Sequence, residues 1–202
     1  MAITFQESGL KLVSAPSVRP ISLSEARDHL RVTTTDEDDY IELVIKSATD
    51  YYERFTWLQI ITAEYELFLD EFPIGDIPIE LPRPPFQSIT DIKFVNEDGV
   101  TETWANNLYE LDTSLIPGLV RPINEEFYPD TKEQFKAVTV KFKAGYGDSS
   151  SEVPDGILHT LKLIISFLYD HRDFVIPQRV TGLAMPQGIV NMIQQHSVTQ
   201  FI

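Results

Sequence analysis

The chain has 202 residues, 43% of them hydrophobic, and no cysteine; it can bury a real core as one or two small domains, and disulfides, zinc ribbons and thiol catalysis are excluded. Its 16 lysines and arginines face 31 aspartates and glutamates, a net charge of −15, which argues against a protein that grips nucleic acid by its phosphates. No basic region followed by a long apolar run opens the chain, and its most apolar stretch is interrupted by His159, Thr160, Lys162 and Ser166, so neither a signal peptide nor a membrane span is expected.

Pro16 and Pro20 punctuate an extended lead-in. Ser22 and Glu25 then form a capping box, opening a helix with Leu23, Ala26 and Leu30 on one face that ends near Arg31. Asp36 can cap a second helix, and Glu37, Asp38 and Asp39 load its first turn, where the helix dipole favours negative charge. Ile41, Val44, Ala48, Tyr51 and Phe55, flanked by Ile45 and Tyr52, recur at steps of three and four; this is an amphipathic helix of about five turns.

The period then changes to two. Ala63, Tyr65, Leu67 and Leu69 alternate with Thr62, Glu64 and Glu66. Further strands are expected at 77–81, 89–95, 100–104, 109–112, 119–121 and 137–143, with Asn96 to Gly99 as a turn. In the last strand Val138, Val140 and Phe142 face one way, and Thr139, Lys141 and Lys143 the other. Pro82-Arg83-Pro84-Pro85 fits the P-x-x-P core of polyproline ligands. Because strands bound it closely and proline cannot donate to a ladder, it reads as a rigid corner.

Gly145-Tyr146-Gly147 is a turn leaving a strand, and Pro154 opens a helix over 155–170. Ile157, Leu161, Ile164, Ile165 and Leu168 form its main face, while Leu163 and Phe167 lie well off it. One partner cannot cover all of these, so the helix is central or covered by another copy. A last helix is expected over 186–196, with Ile189, Met192 and Ile193 apolar, before the apolar end VTQFI. The fold class is α+β: a bundle of the N- and C-terminal helices packed together, with an inserted small antiparallel β-sandwich or barrel. The expected divisions are 1–60 (extended arm and two helices), 61–148 (inserted β-domain) and 149–202 (helices completing the bundle, and a docking tail).

Chemistry is sparse. His29 and His159 have no ligand pattern around them, so no metal is expected. His171-Arg172-Asp173 matches H-R-D of a kinase loop without its supporting motifs; a helix C-terminus suits it better, since cations there meet the dipole favourably. Asp112, Glu125, Glu126 and Asp130 lie in or near one loop region, and paired carboxylates serve glycosidases only at defined separations. Trp57, Trp104 and Tyr109 would stack on a sugar if exposed. A carbohydrate- or peptide-binding β-module with helical flanks is therefore the alternative reading.

The order of segments carries the main reading. ISLSEARDHLRV, DEDDYIELVIKSATDYYERFT, LPRPPFQSI, VTVKFKAGYGD and VPDGILHTLKLIISFLYDHRD follow one another between Ile21 and Asp173. This resembles the head–tail connector (head-completion adaptor) family of tailed bacteriophages, in particular the longer members with a β-domain inserted between the helices. One departure is Trp57-Leu58-Gln59 where family members often have a Gly-Arg turn. The resemblance implies a non-enzymatic subunit without cofactor, made in the host bacterial cytoplasm and placed in the virion neck. Such subunits form a ring, commonly twelvefold, beneath the portal protein; double-stranded DNA passes through without specific binding, and no membrane is involved. The ring receives the stopper or tail-completion protein. By this analogy Leu163, Phe167 and Arg83 are candidates for the subunit interface, and Ile189, Met192, Ile193 and Phe201 for portal docking. Asp36, Glu37, Asp38 and Asp39 are candidates for an acidic channel-facing surface. Mutual repulsion of acidic subunits further implies that the free protein is monomeric and closes into a ring only on a portal template.

Overall fold

The computed structural model describes residues 9–75, 77–113, 116–123, 126–172 and 185–198. It divides into two compact units, one formed chiefly by the lead-in up to Ser17 with Thr62–Tyr146, the other by Val18–Ile61 with Gly147–Thr199.

The second unit is helical: α1 (Leu23–Leu30), α2 (Asp38–Thr56), α3 (Asp155–Asp170) and α4 (Gln187–Gln194). Both halves of the α1 capping box form. The Ser22 hydroxyl accepts the Glu25 N–H at 3.2 Å, and the Glu25 carboxylate accepts the Ser22 N–H at 3.0 Å. Arg31 ends the helix in the left-handed region, φ 59°.

Two expectations for α2 are corrected. Asp36 is exposed and does not cap the helix; Glu37 stands at the cap without a side-chain bond to the helix backbone, its carboxylate being taken up by Tyr169 and Arg172. The covered face runs through Ile41, Val44, Ile45, Ala48, Tyr52 and Thr56. Tyr51 and Phe55 precede two of these residues, so each is turned about 100° from its covered neighbour. They remain 38% and 36% exposed and stack on each other at 6.1 Å. At the end of α2, Trp57 takes φ 62°, the conformation a glycine adopts most readily.

The helix α3 packs against α1, α2 and α4 and buries Ile157, Thr160, Leu161, Ile164 and Ile165, so it is central to its unit. The Thr160 hydroxyl is satisfied by donating to the Gly156 carbonyl at 2.7 Å. Leu168, expected on the main face, is half-buried.

Among the described residues the other unit holds two antiparallel sheets. The first has strand order β1-β2-β8-β4-β5, with β1 Leu10–Ser14, β2 Ala63–Leu69, β4 Phe86–Val95, β5 Thr101–Thr103 and β8 Val138–Ala144. The second has order β3-β7-β6, with β3 Ile79–Leu81, β6 Tyr109–Asp112 and β7 Gly118–Pro122. Register places Tyr65 opposite Phe142 and Leu67 opposite Val140, with Ile92 on the far side of Val140. These apolar sides join Ile79, Leu81 and Val120 of the second sheet in one core, so the unit is a sandwich. Phe72, Trp104 and Tyr128 fill it with rings whose centroids lie 5.1–5.5 Å apart.

Pro82 to Pro85 carry the chain from β3 in one sheet to β4 in the other. Pro82 and Pro84 are buried, Arg83 takes φ 63° and is half-buried, and the Pro84–Pro85 peptide is cis. The Pro85 carbonyl accepts the Gly145 N–H at 2.8 Å. The lead-in adds the edge strand β1, with Leu10 opposite Leu67.

Candidate assembly surfaces

The four acidic residues at the start of α2 separate into two kinds. Asp36 and Asp39 are exposed. Asp38 lies 3.5 Å from Arg27. Glu37 accepts from the Tyr169 hydroxyl and pairs with Arg172. Arg172 lies over two rings, 4.2 Å from the centroid of Tyr40 and 5.0 Å from that of Tyr169. The Tyr169 hydroxyl and then Arg172 hold the Glu37 carboxyl below its usual range. In turn the Glu37 carboxylate, with a smaller effect of burial, pushes the Tyr169 phenol up. This clasp joins the start of α2 to the end of α3. It places Arg172 in an ion pair as well as at a helix terminus; Asp173 lies outside the described residues.

Of the interface candidates, Leu163 and Phe167 are half-buried on α3, and the Phe167 ring lies 4.6 Å from that of His171. Arg83 belongs to the other unit. Of the docking candidates, Ile189 and Met192 are half-buried on α4. Ile193 is corrected: it is fully buried in its own unit and holds α4 there. Phe201 lies outside the described residues.

The sugar-stacking reading meets a different obstacle. Trp104 is 4% exposed inside the sandwich, and Tyr109 packs on it at 5.1 Å; a stacking platform needs a free ring face. The carboxylates Asp112, Glu126 and Asp130 are exposed, and Glu125 lies outside the described residues.

Sequence reasoning missed the outward face of the five-stranded sheet. Lys11 pairs with Glu66 at 3.5 Å, Lys141 with Glu64 at 3.1 Å and Lys93 with Asp91 at 3.4 Å. Burial raises the Glu64 pKa, but hydrogen bonds from Lys141 and Thr90, with Lys143 nearby, outweigh it and leave the carboxyl below its usual range. The signal was present as alternating charge, Glu64 and Glu66 in one strand and Lys141 and Lys143 in another, but only register shows that they oppose each other. Large apolar side chains also stand out on the loops of this unit: Ile74, Phe127 and Phe135 are 82%, 83% and 87% exposed.

Residues 20–93 match the family model described as Phage gp6-like head-tail connector protein, which bears out the resemblance carried by the segment order. The fold matches chains of three solved structures, each 23% identical to this chain, covering 93% of it and 94% of the other chain. One comes from the virion of the native gene transfer agent (GTA) particle, with TM-score 0.75. The others come from the neck of the empty GTA particle with C6 symmetry, TM-score 0.76, and the neck of the native particle with C12 symmetry, TM-score 0.71. No curated protein matches the chain.

Proposed function

We propose that the chain is a structural subunit of the neck of a tailed phage or phage-like particle. It forms a ring, twelvefold in the assembled particle, beneath the portal; the ring extends the DNA channel and receives the next neck protein. The connector-family match over residues 20–93 carries this reading, and the fold shared with neck chains along nearly the whole chain supports it. The work is mechanical, with no reaction step and no cofactor, and DNA passes without specific binding because a chain of −15 repels phosphate more than it holds it.

Within this reading Leu163 and Phe167 contribute to the contact between subunits, and Ile189 and Met192 to the contact with the portal. Asp36 and Asp39, whose carboxylates are exposed, are the better channel-facing candidates; Glu37 and Asp38 are already partnered by cations. The test is to mix the purified chain with portal rings and image the particles by electron microscopy. A second ring of density is expected beneath the portal. Bare portals across a range of salt concentrations would overturn the proposal.

A further inference from the structure

The outward faces of the two sheets differ in sign. Five of the chain's eight lysines, Lys11, Lys93, Lys136, Lys141 and Lys143, share the outward face of the five-stranded sheet. Of its paired carboxylates, Glu64, Glu66 and Asp91 are recessed, with side chains 17%, 25% and 25% exposed, while Lys11 and Lys93 stand out at 65% and 50% and Lys141 lies recessed beside Glu64 at 27%. The exposed Asp70 adds a fourth carboxylate next to Lys136, whose backbone N–H it accepts. The five lysines thus outnumber the four carboxylates Glu64, Glu66, Asp70 and Asp91 on this face, which carries a net positive charge on a chain that is otherwise strongly acidic. The outward face of the three-stranded sheet carries Glu80, Glu110 and Asp112. Its Arg121 is bonded to Glu110, beside a shallow hollow lined by Leu111 and Leu119.

Both sheets turn their apolar sides into one core, so these two faces point away from each other. A body with opposite charges on opposite sides complements a second copy of itself head to tail. Head-to-tail contacts are heterologous, and when their rotation closes they generate rings. A nucleic-acid partner would use the positive face alone and leave the acidic face without a counterpart.

We propose that the lysine face of the five-stranded sheet docks against the acidic face of the three-stranded sheet on a second copy of this chain. The inference rests on the ring reading above and adds which surfaces meet.

Lys93→Glu with Lys143→Glu makes both faces negative, and Glu80→Lys with Asp112→Lys makes both positive. Each double variant alone is expected to self-associate about tenfold or more weakly than the native chain, because like charges then meet across the contact. A one-to-one mixture is expected to recover association, since every junction again joins opposite charges. Sedimentation at physiological salt reads the association, and circular dichroism establishes that both variants are folded. A mixture that associates no more tightly than either folded variant overturns the contact. So does native-like ring formation beneath the portal by either variant alone, which leaves the neck function standing. Recovery in the mixture with no density beneath native portals supports the contact and sinks the portal reading instead. Binding of native chain to double-stranded DNA that is lost in the Lys93→Glu/Lys143→Glu variant, with no recovery in the mixture, assigns the lysine face to nucleic acid.

Discussion

Arg172 touches three groups far from it in sequence or on the preceding turn: Glu37, Tyr40 and Tyr169. Its cationic character beside His171 was legible as a helix terminus, because that preference depends on the local dipole. Its partner was not legible, because Glu37 lies 135 residues away and is one of many carboxylates in the chain; only the packing of α2 on α3 selects it. The same holds for Ile193, whose apolar character was plain but whose burial depends on α4 folding back onto its own unit. The clasp has a pH signature. A carboxyl held below its unfolded pKa of about 4.3 stabilises the fold above that value, and the contribution is lost as pH falls through the folded pKa. Glu37→Gln should therefore flatten the acid limb of the stability profile, measured by chemical denaturation at stepped pH. The same substitution should bring the Tyr169 titration down toward the ordinary tyrosine value, read as an ultraviolet difference against the native chain. A Tyr169 titration unchanged by Glu37→Gln would remove the carboxylate as its cause.

Elements bounded by local chemistry were read closely. The Ser22–Glu25 box and Pro154 mark the starts of α1 and α3, and period-two alternation locates β2 and β8 within a residue. Elements that depend on a distant partner were read less well. β1 exists as a strand because Leu10 finds Leu67, and its five residues carry little alternation of their own. Tyr51 and Phe55 fit a helical stripe, yet Tyr52 and Thr56 fit the same period one position on, and packing chose the latter. Gly118 shows a constraint that no pattern announces. A Cβ there would sit 2.9 Å from the Phe86 Cβ and 3.1 Å from its Cγ, joining β7 of one sheet to β4 of the other with no room for a methyl group. The Phe86 Cβ moves only with its backbone, so the clash cannot be relieved by a rotamer. Gly118→Ala should destabilise the sandwich by about 1–3 kcal/mol, as overpacking does in close-packed cores. Chemical denaturation reads the loss, and native stability in the variant would mean that the two sheets can part at this point.

At the scale of the whole molecule the net charge of −15 and the local charge pattern act on assembly with opposite signs. Net repulsion between copies acts at long range, and the complementary faces act only near contact. Salt separates them, because the screening length falls from about 30 Å at 0.01 M to about 8 Å at 0.15 M and about 3 Å at 1 M. At the lowest salt, repulsion reaches across a whole approaching subunit and opposes association. Near physiological salt it is screened over most of that distance, while charges in direct contact still attract. At high salt both weaken. Association of the native chain should therefore pass through a maximum with rising salt, whereas the sequence count alone, through repulsion, implies a steady rise. Replacing Lys93 and Lys143 by glutamine removes part of the contact attraction and makes the net charge more negative, so the maximum should shrink or vanish and leave the steady rise. Sedimentation velocity across this salt range measures both curves. A monotonic rise in the native chain would show that the opposed faces of the sandwich contribute nothing to its self-association.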